Sequence, residues 1–496
     1  MNLSQVFLNT ADRYPNDIAI YFYEEQYTFK DVAQKSIHLA SWLSSEMGVK
    51  PGDRVGIYCK NRPEFITSMI AILIAGGVVV PINNFLKPVE VSYILKDCDV
   101  RVLISEKPLL ENAFYIHQMV PMLRTILAED FDQIPHLPEP VSFGHTLRME
   151  SDIAIITYTS GTTGKPKGTM LTHHNLLCNT ESCRTALNIG HGTRFCLPLP
   201  MFHSFMLCLN QWTPLLYGGS IVLIRSIQPF RSLIAEICEK KPDILAAVPV
   251  LFRALLDDSV PNDLPIKLAI SGSAPLPIDV LSGCAKKFSF PVLEGYGLSE
   301  ASPVVTICPI NGPEKRGSIG IPLPGVSVSI QDDDGHILPA GETGEICVRG
   351  ENVMLGYWNL PEATAKTFRK GWLLTGDMGH SDEDGFIYIT DRRKDMLLVN
   401  GNNVYPREIE DLICEYPGIL EVAVVGHPDP IRGEKPVVFY VSKKDSNVDE
   451  NKLKNYLKTK LANYKVPRVY YRLGALPRND TNKILKSELR KFQLPK

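Results

Sequence analysis

Apolar positions in the first 150 residues switch between two spacings, every second residue and every third or fourth. These are the periods of a strand and of a helix. Ile18-Ala-Ile-Tyr-Phe22 predicts a strand. Phe29, Val32, Ser36, Leu39 and Leu43 follow Thr28, a good capping residue, and predict an amphipathic helix. Gly52-Asp53 turns the chain into a strand at 55–58, and Val102-Leu-Ile104 predicts another. Residues 65–82 are apolar over almost a membrane-spanning length, yet they include Thr67, Ser68, Gly76-Gly77 and Pro81. They read as a buried helix over 64–75, a Gly-Gly turn and a strand over 78–80. Alternating strands and helices predict parallel sheet covered by helices. This stretch shows no candidate chemistry.

Further along, residues 152–158 read as a buried strand, and 170–177 as a strand end leading into a helix. Prolines at 198 and 200 break the pattern before an apolar helix over 203–209. Residues 244–252 are an apolar run, and 268–276 a strand that ends in small residues. Residues 326–349 alternate with period two between turns at 332–335 and 340–344, predicting an antiparallel sub-domain. The three aspartates of the first turn lack the spacing of a calcium loop and read as a solvated hairpin tip. A strand follows at 386–389. The last hundred residues form a separate α+β pattern. A helix opens at Pro406, strands lie at 422–425 and 437–441, a helix at 449–461 and a strand at 469–471. The expected architecture is a large α/β N-terminal domain over 1–391, with parallel sheets covered by helices and a small antiparallel β sub-domain. A small mobile α+β C-terminal domain over 395–496 follows.

The 496-residue length requires more than one core. Lys and Arg number 52 against 55 Asp and Glu, a balance of −3 that offers no field for a polyanion. The eleven cysteines contain no CxxC pair and fit reduced thiols better than disulfides or zinc. Residues 1–7 carry no signal-peptide pattern. Together these features predict a cytoplasmic protein, peripheral to a membrane at most.

Candidate chemistry begins at Tyr158-Thr-Ser-Gly-Thr-Thr-Gly-Lys-Pro-Lys-Gly168. Thr159, Ser160, Gly161, Thr162, Thr163 and Gly164 offer hydroxyl and close backbone donors to an anion, and Lys165 and Lys167 follow. The spacing is neither a Walker loop, which fails at Thr159 and Pro166, nor a dinucleotide fingerprint. Gly272, Ser273 and Ala274 end a strand and would let a flat base approach the backbone. Gly295-Tyr296-Gly297-Leu-Ser299-Glu300 offers an aromatic face and a hard oxygen ligand. Asp377 stands on a turn, Arg392 and Lys394 lie beyond the next strand, and Lys483 stands near the C-terminus.

Taken in order, these blocks resemble the signatures of the adenylate-forming superfamily, and most of all its fatty acyl-CoA synthetases. The resemblance runs from about Thr28 to Lys486 and implies an ATP-dependent acid–thiol ligase. By that resemblance Thr159–Gly164 and Lys167 hold phosphate, and Gly272–Ala274, Gly295, Tyr296, Gly297 and Ser299 hold adenine. Glu300 with Thr159 holds Mg²⁺, and Asp377 and Arg392 bind the ribose. His203 abuts the substrate carboxylate. Lys483 is the catalytic lysine of adenylation, Lys394 the hinge, and Gly401 and Asn402 meet CoA. Two departures are visible: Ser299 stands where Thr is usual, and Asn482 stands where Gly usually precedes the lysine. The absence of Asp after Phe202 argues against an amino acid substrate. Uncharged segments at 205–209, 248–251 and 301–305 favour an aliphatic acid of medium or long chain. The alternatives left open are an aryl or coumarate-type CoA ligase, an enzyme loading an acyl carrier protein, and an inactive paralogue that only binds. A homodimer is a further open alternative.

Overall fold

The computed structural model describes residues 1–135, 148–159, 165–313, 315–400, 402–429, 432–444, 446–478 and 483–492. They divide into two compact units, one of residues 1–328 with 348–373, the other of 329–347 with 374–496.

The first unit contains two large sheets. The seven-stranded one runs in the order Gly356–Tyr357, Lys167–Thr172, Ile153–Thr159, Val78–Pro81, Arg54–Tyr58, Val102–Ser105, Arg124–Leu127. Its last five strands pair in parallel, and its first two join antiparallel. In the nine-stranded sheet a parallel centre lies between antiparallel edges. Strands Val292–Gly297, Leu268–Ser271, Ile244–Ala247, Arg194–Leu197, Ser220–Leu223 and Ile18–Phe22 follow one another there. The helix Phe29–Ser45 starts at Thr28, whose hydroxyl accepts Asp31 N–H at 3.1 Å while the Asp31 carboxylate accepts Thr28 N–H at 2.8 Å. All five positions of its expected apolar face are buried. The helix Pro63–Ile74 is buried on every side, which explains why its sequence shows no polar stripe. No described helix is long and apolar enough to cross a membrane. All eleven cysteines are free thiols, seven of them buried.

In the second unit, strands Trp372–Ser381 and Ile387–Arg392 form an antiparallel hairpin. Beyond it, Asn402–Val404, Leu397–Val399, Gly433–Ser442 and Ile419–Asp429 form a sheet to which Val469–Arg472 adds in parallel. Pro406 occupies the first turn of the helix Pro406–Cys414, where its missing N–H costs nothing. Ile409 and Ile413 of that helix and Leu453 and Leu457 of the helix Glu450–Lys460 close over the sheet.

The expected strand end leading into a helix at 170–177 is present: strand Lys167–Thr172 pairs antiparallel with Ile153–Thr159, with Thr159 opposite Lys167, and the helix His173–Ala186 follows it. One feature differs from the sequence expectation. The apolar helix after Pro200 is not regular: Met206–Trp212 is a π-helix, continued by a short α-helix Thr213–Tyr217.

Candidate functional site

Strands ending at Leu197, Ala247, Ser271 and Gly297 are neighbours running the same way, so their carboxyl ends open on one edge. That edge is where α/β sheets hold ligands. His203, Gly272–Ala274 and the Gly295–Glu300 block all follow those ends.

The loop bearing His203 is pinned from below by a buried amide. Asn61 Nδ2 donates to the carbonyls of Leu199 and Ile224, both at 2.9 Å, and its Oδ1 accepts Met201 N–H at 3.0 Å. Gln211 Nε2, from the π-helix, donates to Met201 O at 2.8 Å. His203 Nδ1 in turn accepts Phe205 N–H at 3.3 Å, which directs Nε2 away from its own backbone. Beneath Asn61, the fully buried Glu106 carboxylate is neutralised by Arg225 at 3.1 Å and Arg62 at 3.4 Å. It also accepts Lys60 N–H at 2.9 Å.

Gly272 packs under the Phe205 ring, where an added Cβ would lie 3.1 Å from a ring carbon. Ser273 has φ +69°, and Ala274 is exposed. The turn carrying them is tied down by Glu294, whose buried carboxylate accepts Leu276 N–H at 3.1 Å. Gly295 and Tyr296 pair with Ile307 and Thr306, and half-buried Tyr296 rests on the main core. At Gly297 an added Cβ would meet Pro303 O at 2.2 Å, a contact no larger residue survives without moving the chain.

Ser299–Ala301 forms a single tight turn. Ser299 and Ser204 hydroxyls lie 3.0 Å apart, which joins this turn to the His203 loop. Glu300 O accepts Met354 N–H at 2.9 Å, and Ala301 O accepts Asn352 Nδ2 at 2.8 Å. The Glu300 carboxylate receives the Tyr357 hydroxyl at Oε1, 2.8 Å away. Among the described residues nothing bonds its second oxygen, and an anionic oxygen so placed suits a hard divalent cation. Burial, with the Glu300 charge beside it, holds the Tyr357 hydroxyl protonated well above the ordinary tyrosine range. Lys167 Nζ lies 4.9 Å from the centre of the Tyr357 ring. Lys167, Tyr357, Glu300, Ser299, Ser204 and the His203 loop thus form one chain of contacts. No hydrogen bond between described residues joins Thr159 to Glu300, its expected partner on Mg²⁺. Ser160, Gly161, Thr162, Thr163, Gly164 and Gly401 lie outside the described residues, as does Asn482.

In the second unit, Asp377 and Arg392 face each other across the hairpin, with Arg392 Nε 3.2 Å from Asp377 Oδ1. Asp377 is buried, while the Arg392 side chain stays 55% exposed. Lys394 follows in a turn closed by Asp395 N–H to Arg392 O at 2.8 Å. Lys483 belongs to the same group of charges. Surrounding protein partly desolvates its ammonium, and Arg392 and Lys394 repel it, so its pKa falls below the ordinary lysine value despite Asp377. Partial desolvation and Arg392 lower Lys394 in the same direction. Asn402 begins an edge strand and donates to Asn400 O at 3.2 Å.

Asn61, Gln211, Glu294 and Tyr357 were not singled out from the sequence. The partners of Asn61 and Tyr357 lie far away along the chain, those of Gln211 and Glu294 ten and eighteen residues back. Only Asn210-Gln211, a polar pair inside an apolar run, gave a signal that could have been read.

Residues 7–358 match the profile of the AMP-binding enzyme family, and 408–483 that of the AMP-binding enzyme C-terminal domain. A long-chain-fatty-acid–CoA ligase of Bacillus subtilis is 36% identical, covering 98% of this chain and 94% of the relative. A feruloyl-CoA synthase of an Amycolatopsis species is 33% identical, covering 94% and 93%. In structure, the chain is similar to the o-succinylbenzoate coenzyme A synthetase of Bacillus subtilis in complex with ATP and magnesium ion. The TM-score is 0.88, at 30% identity and 98% coverage of each chain. With both profiles matched in order and relatives alike almost end to end, the chain belongs to the AMP-binding enzyme family.

Proposed function

We propose that this chain, an AMP-forming acid–thiol ligase by family, activates an aliphatic carboxylic acid of medium or long chain and transfers it to CoA. A carboxylate oxygen attacks the α-phosphorus of ATP, and pyrophosphate leaves. The CoA thiol then attacks the carbonyl of the acyl-adenylate, loses its proton, and AMP leaves. The first step brings an anion to an anion, so its barrier is electrostatic. Glu300 would hold Mg²⁺, which supplies positive charge against the phosphates. Lys167 and Lys483 add their own ammonium charges, the His203 loop positions the acid, and Asp377 with Arg392 takes the ribose hydroxyls. Lys394 is the hinge of the alternation between the two steps.

The observation that carries the acyl assignment is the shared strand edge. Segments that follow the ends of those neighbouring strands are buried and carry no charge: Met206, Leu207, Cys208 and Leu209 of the π-helix, Leu251, and Ala301 to Val305. A wall without charge favours a hydrocarbon tail over an ammonium or a second carboxylate. The mixed acids named for the relatives, fatty and aromatic, keep an aryl acid as the second reading.

ATP–pyrophosphate exchange with octanoate to palmitate, benzoate, coumarate, ferulate and amino acids tests the assignment. A fatty acid should win; a clear preference for an aromatic acid overturns it. Thioester formation with CoA against an acyl carrier protein settles the acceptor. The compartment proposed is the cytoplasm.

A further inference from the structure

We propose that His174, Cys178 and Glu351 form a binding site for Zn²⁺, apart from the place proposed for Mg²⁺ at Glu300. Three ligand atoms of three kinds converge there. His174 Nε2 lies 3.2 Å from Glu351 Oε2, and Cys178 Sγ lies 3.4 Å from each of them. Zinc bonds of about 2.05 Å to nitrogen, 2.0 Å to oxygen and 2.3 Å to sulfur fix the edges of a tetrahedron. Those edges are about 3.3 Å for N–O and about 3.5 Å for both N–S and O–S. The three observed separations match one face of that tetrahedron to within about 0.2 Å. Hydrogen bonding alone explains the triangle less well. One thiol proton and one imidazole proton can serve two edges and leave the third without a donor.

The ligands are held in place before any ion arrives. His174 and Cys178 stand one turn apart on the helix His173–Ala186, so they share a face. That helix is fixed at its start by Thr172 and Asn175, which cap each other. Asn175 also donates through Nδ2 to Glu351 O at 2.6 Å, which ties the acidic ligand's backbone to the helix carrying the other two. Glu351 keeps 73% of its side chain exposed, so an ion has a path from solvent and water can take the fourth position. A nitrogen, a sulfur and one carboxylate oxygen form a borderline-soft set that favours zinc over magnesium or calcium. On binding, the Cys178 thiol gives up its proton and coordinates as thiolate. The consequence is mechanical. The ion would clamp the helix to the segment 351–354, whose Asn352 and Met354 hold the Glu300 turn.

The test uses the full chain, stripped with a chelator and titrated with Zn²⁺ against a chromophoric competitor. Co²⁺ serves as a spectroscopic probe of the same site. One Zn²⁺ per chain should bind, Co²⁺ should show a thiolate charge-transfer band with tetrahedral visible absorption, and Zn²⁺ should raise Tm. Cys178→Ser should remove the band. Cys178→Ser and His174→Gln should each weaken Zn²⁺ by about 100-fold or more, since even outer partners of a metal ligand are worth about 10–100-fold. Glu351→Gln, at an exposed position, should fold normally and abolish the rise in Tm. Cys238→Ser, at an exposed thiol outside this cluster, should change nothing. Equal Zn²⁺ affinity in wild type and Glu351→Gln, or a Co²⁺ spectrum without the thiolate band, overturns the site.

Discussion

Tyr357 donates its hydroxyl hydrogen to Glu300 across 2.8 Å, from an edge strand that pairs with the continuation of the glycine-rich stretch. A hydrogen bond to a charged group is worth about 1.5–3 kcal/mol. Tyr357→Phe keeps the packed ring and removes the tether. It should leave the fold intact, raise the Mg²⁺ concentration needed for half-maximal pyrophosphate exchange, and lower the rate by about tenfold. Glu300→Gln should go further and lose exchange by about 10²–10³. Unchanged Mg²⁺ dependence in both variants would remove the metal from Glu300.

Lys483 carries a charge that only adenylation should need. Lys483→Ala should abolish acyl-adenylate formation, yet still convert supplied acyl-adenylate and CoA to thioester. Lys394→Pro fixes a φ that a hinge must vary, and should slow the second half-reaction while sparing the first. Equal loss of both half-reactions in a folded Lys483→Ala protein contradicts the division of labour.

Asn61 makes three hydrogen bonds under the His203 loop. Asn61→Ala leaves two carbonyls and an amide without that partner, so denaturant unfolding should show a loss of about 3 kcal/mol. The activity that remains should show a higher KM for the acid, because the loop rather than a reacting group is disturbed. A stability change below about 0.5 kcal/mol would mean water replaces the amide.

If the acyl walls are aliphatic, each buried methylene adds about 0.8 kcal/mol. Activity should rise stepwise from hexanoate upward and stop where the walls end. A profile flat from six to sixteen carbons argues for a different wall.

His427 is buried in the second unit, with Nε2 3.2 Å from Leu489 O. Burial, then the positive charges of Lys435 and Arg490, holds its pKa below the ordinary histidine value. The neutral ring therefore favours the folded state. That contribution is complete above about pH 6.5, the unfolded value, and is lost as pH falls through the lower folded value. Urea unfolding from pH 7.5 to 5 should show this decline, and His427→Gln should flatten it. An identical slope in the variant would assign the decline to other groups.

Much of the backbone was visible in the sequence because its signals are local. Thr28 and Asp31 cap each other three residues apart, and Pro406 marks a first turn by its own geometry. The motif residues stood out because they are polar, small or aromatic in a fixed order. What stayed hidden is what holds them. Asn61 meets Leu199, Tyr357 meets Glu300, and Glu294 meets Leu276 only after the sheets form. A polar residue's partner cannot be read from its neighbours when the sheet order, not the chain order, brings them together.

The π-helix Met206–Trp212 closes each turn with about one residue more than an α-helix would use. Its wide turns carry Asn210 and Gln211, whose amides bond Cys196 O at 2.6 Å and Met201 O at 2.8 Å. Losing a single codon there would restore an ordinary helix and swing the side chains next in the helix by about 100°. Thr213–Tyr217 and the strand after it would absorb that swing within a few residues, because the strand's place in the sheet is fixed on both sides. The buried face that this segment presents can therefore be reshaped by the gain or loss of one residue, a shorter evolutionary path than replacing its side chains one at a time.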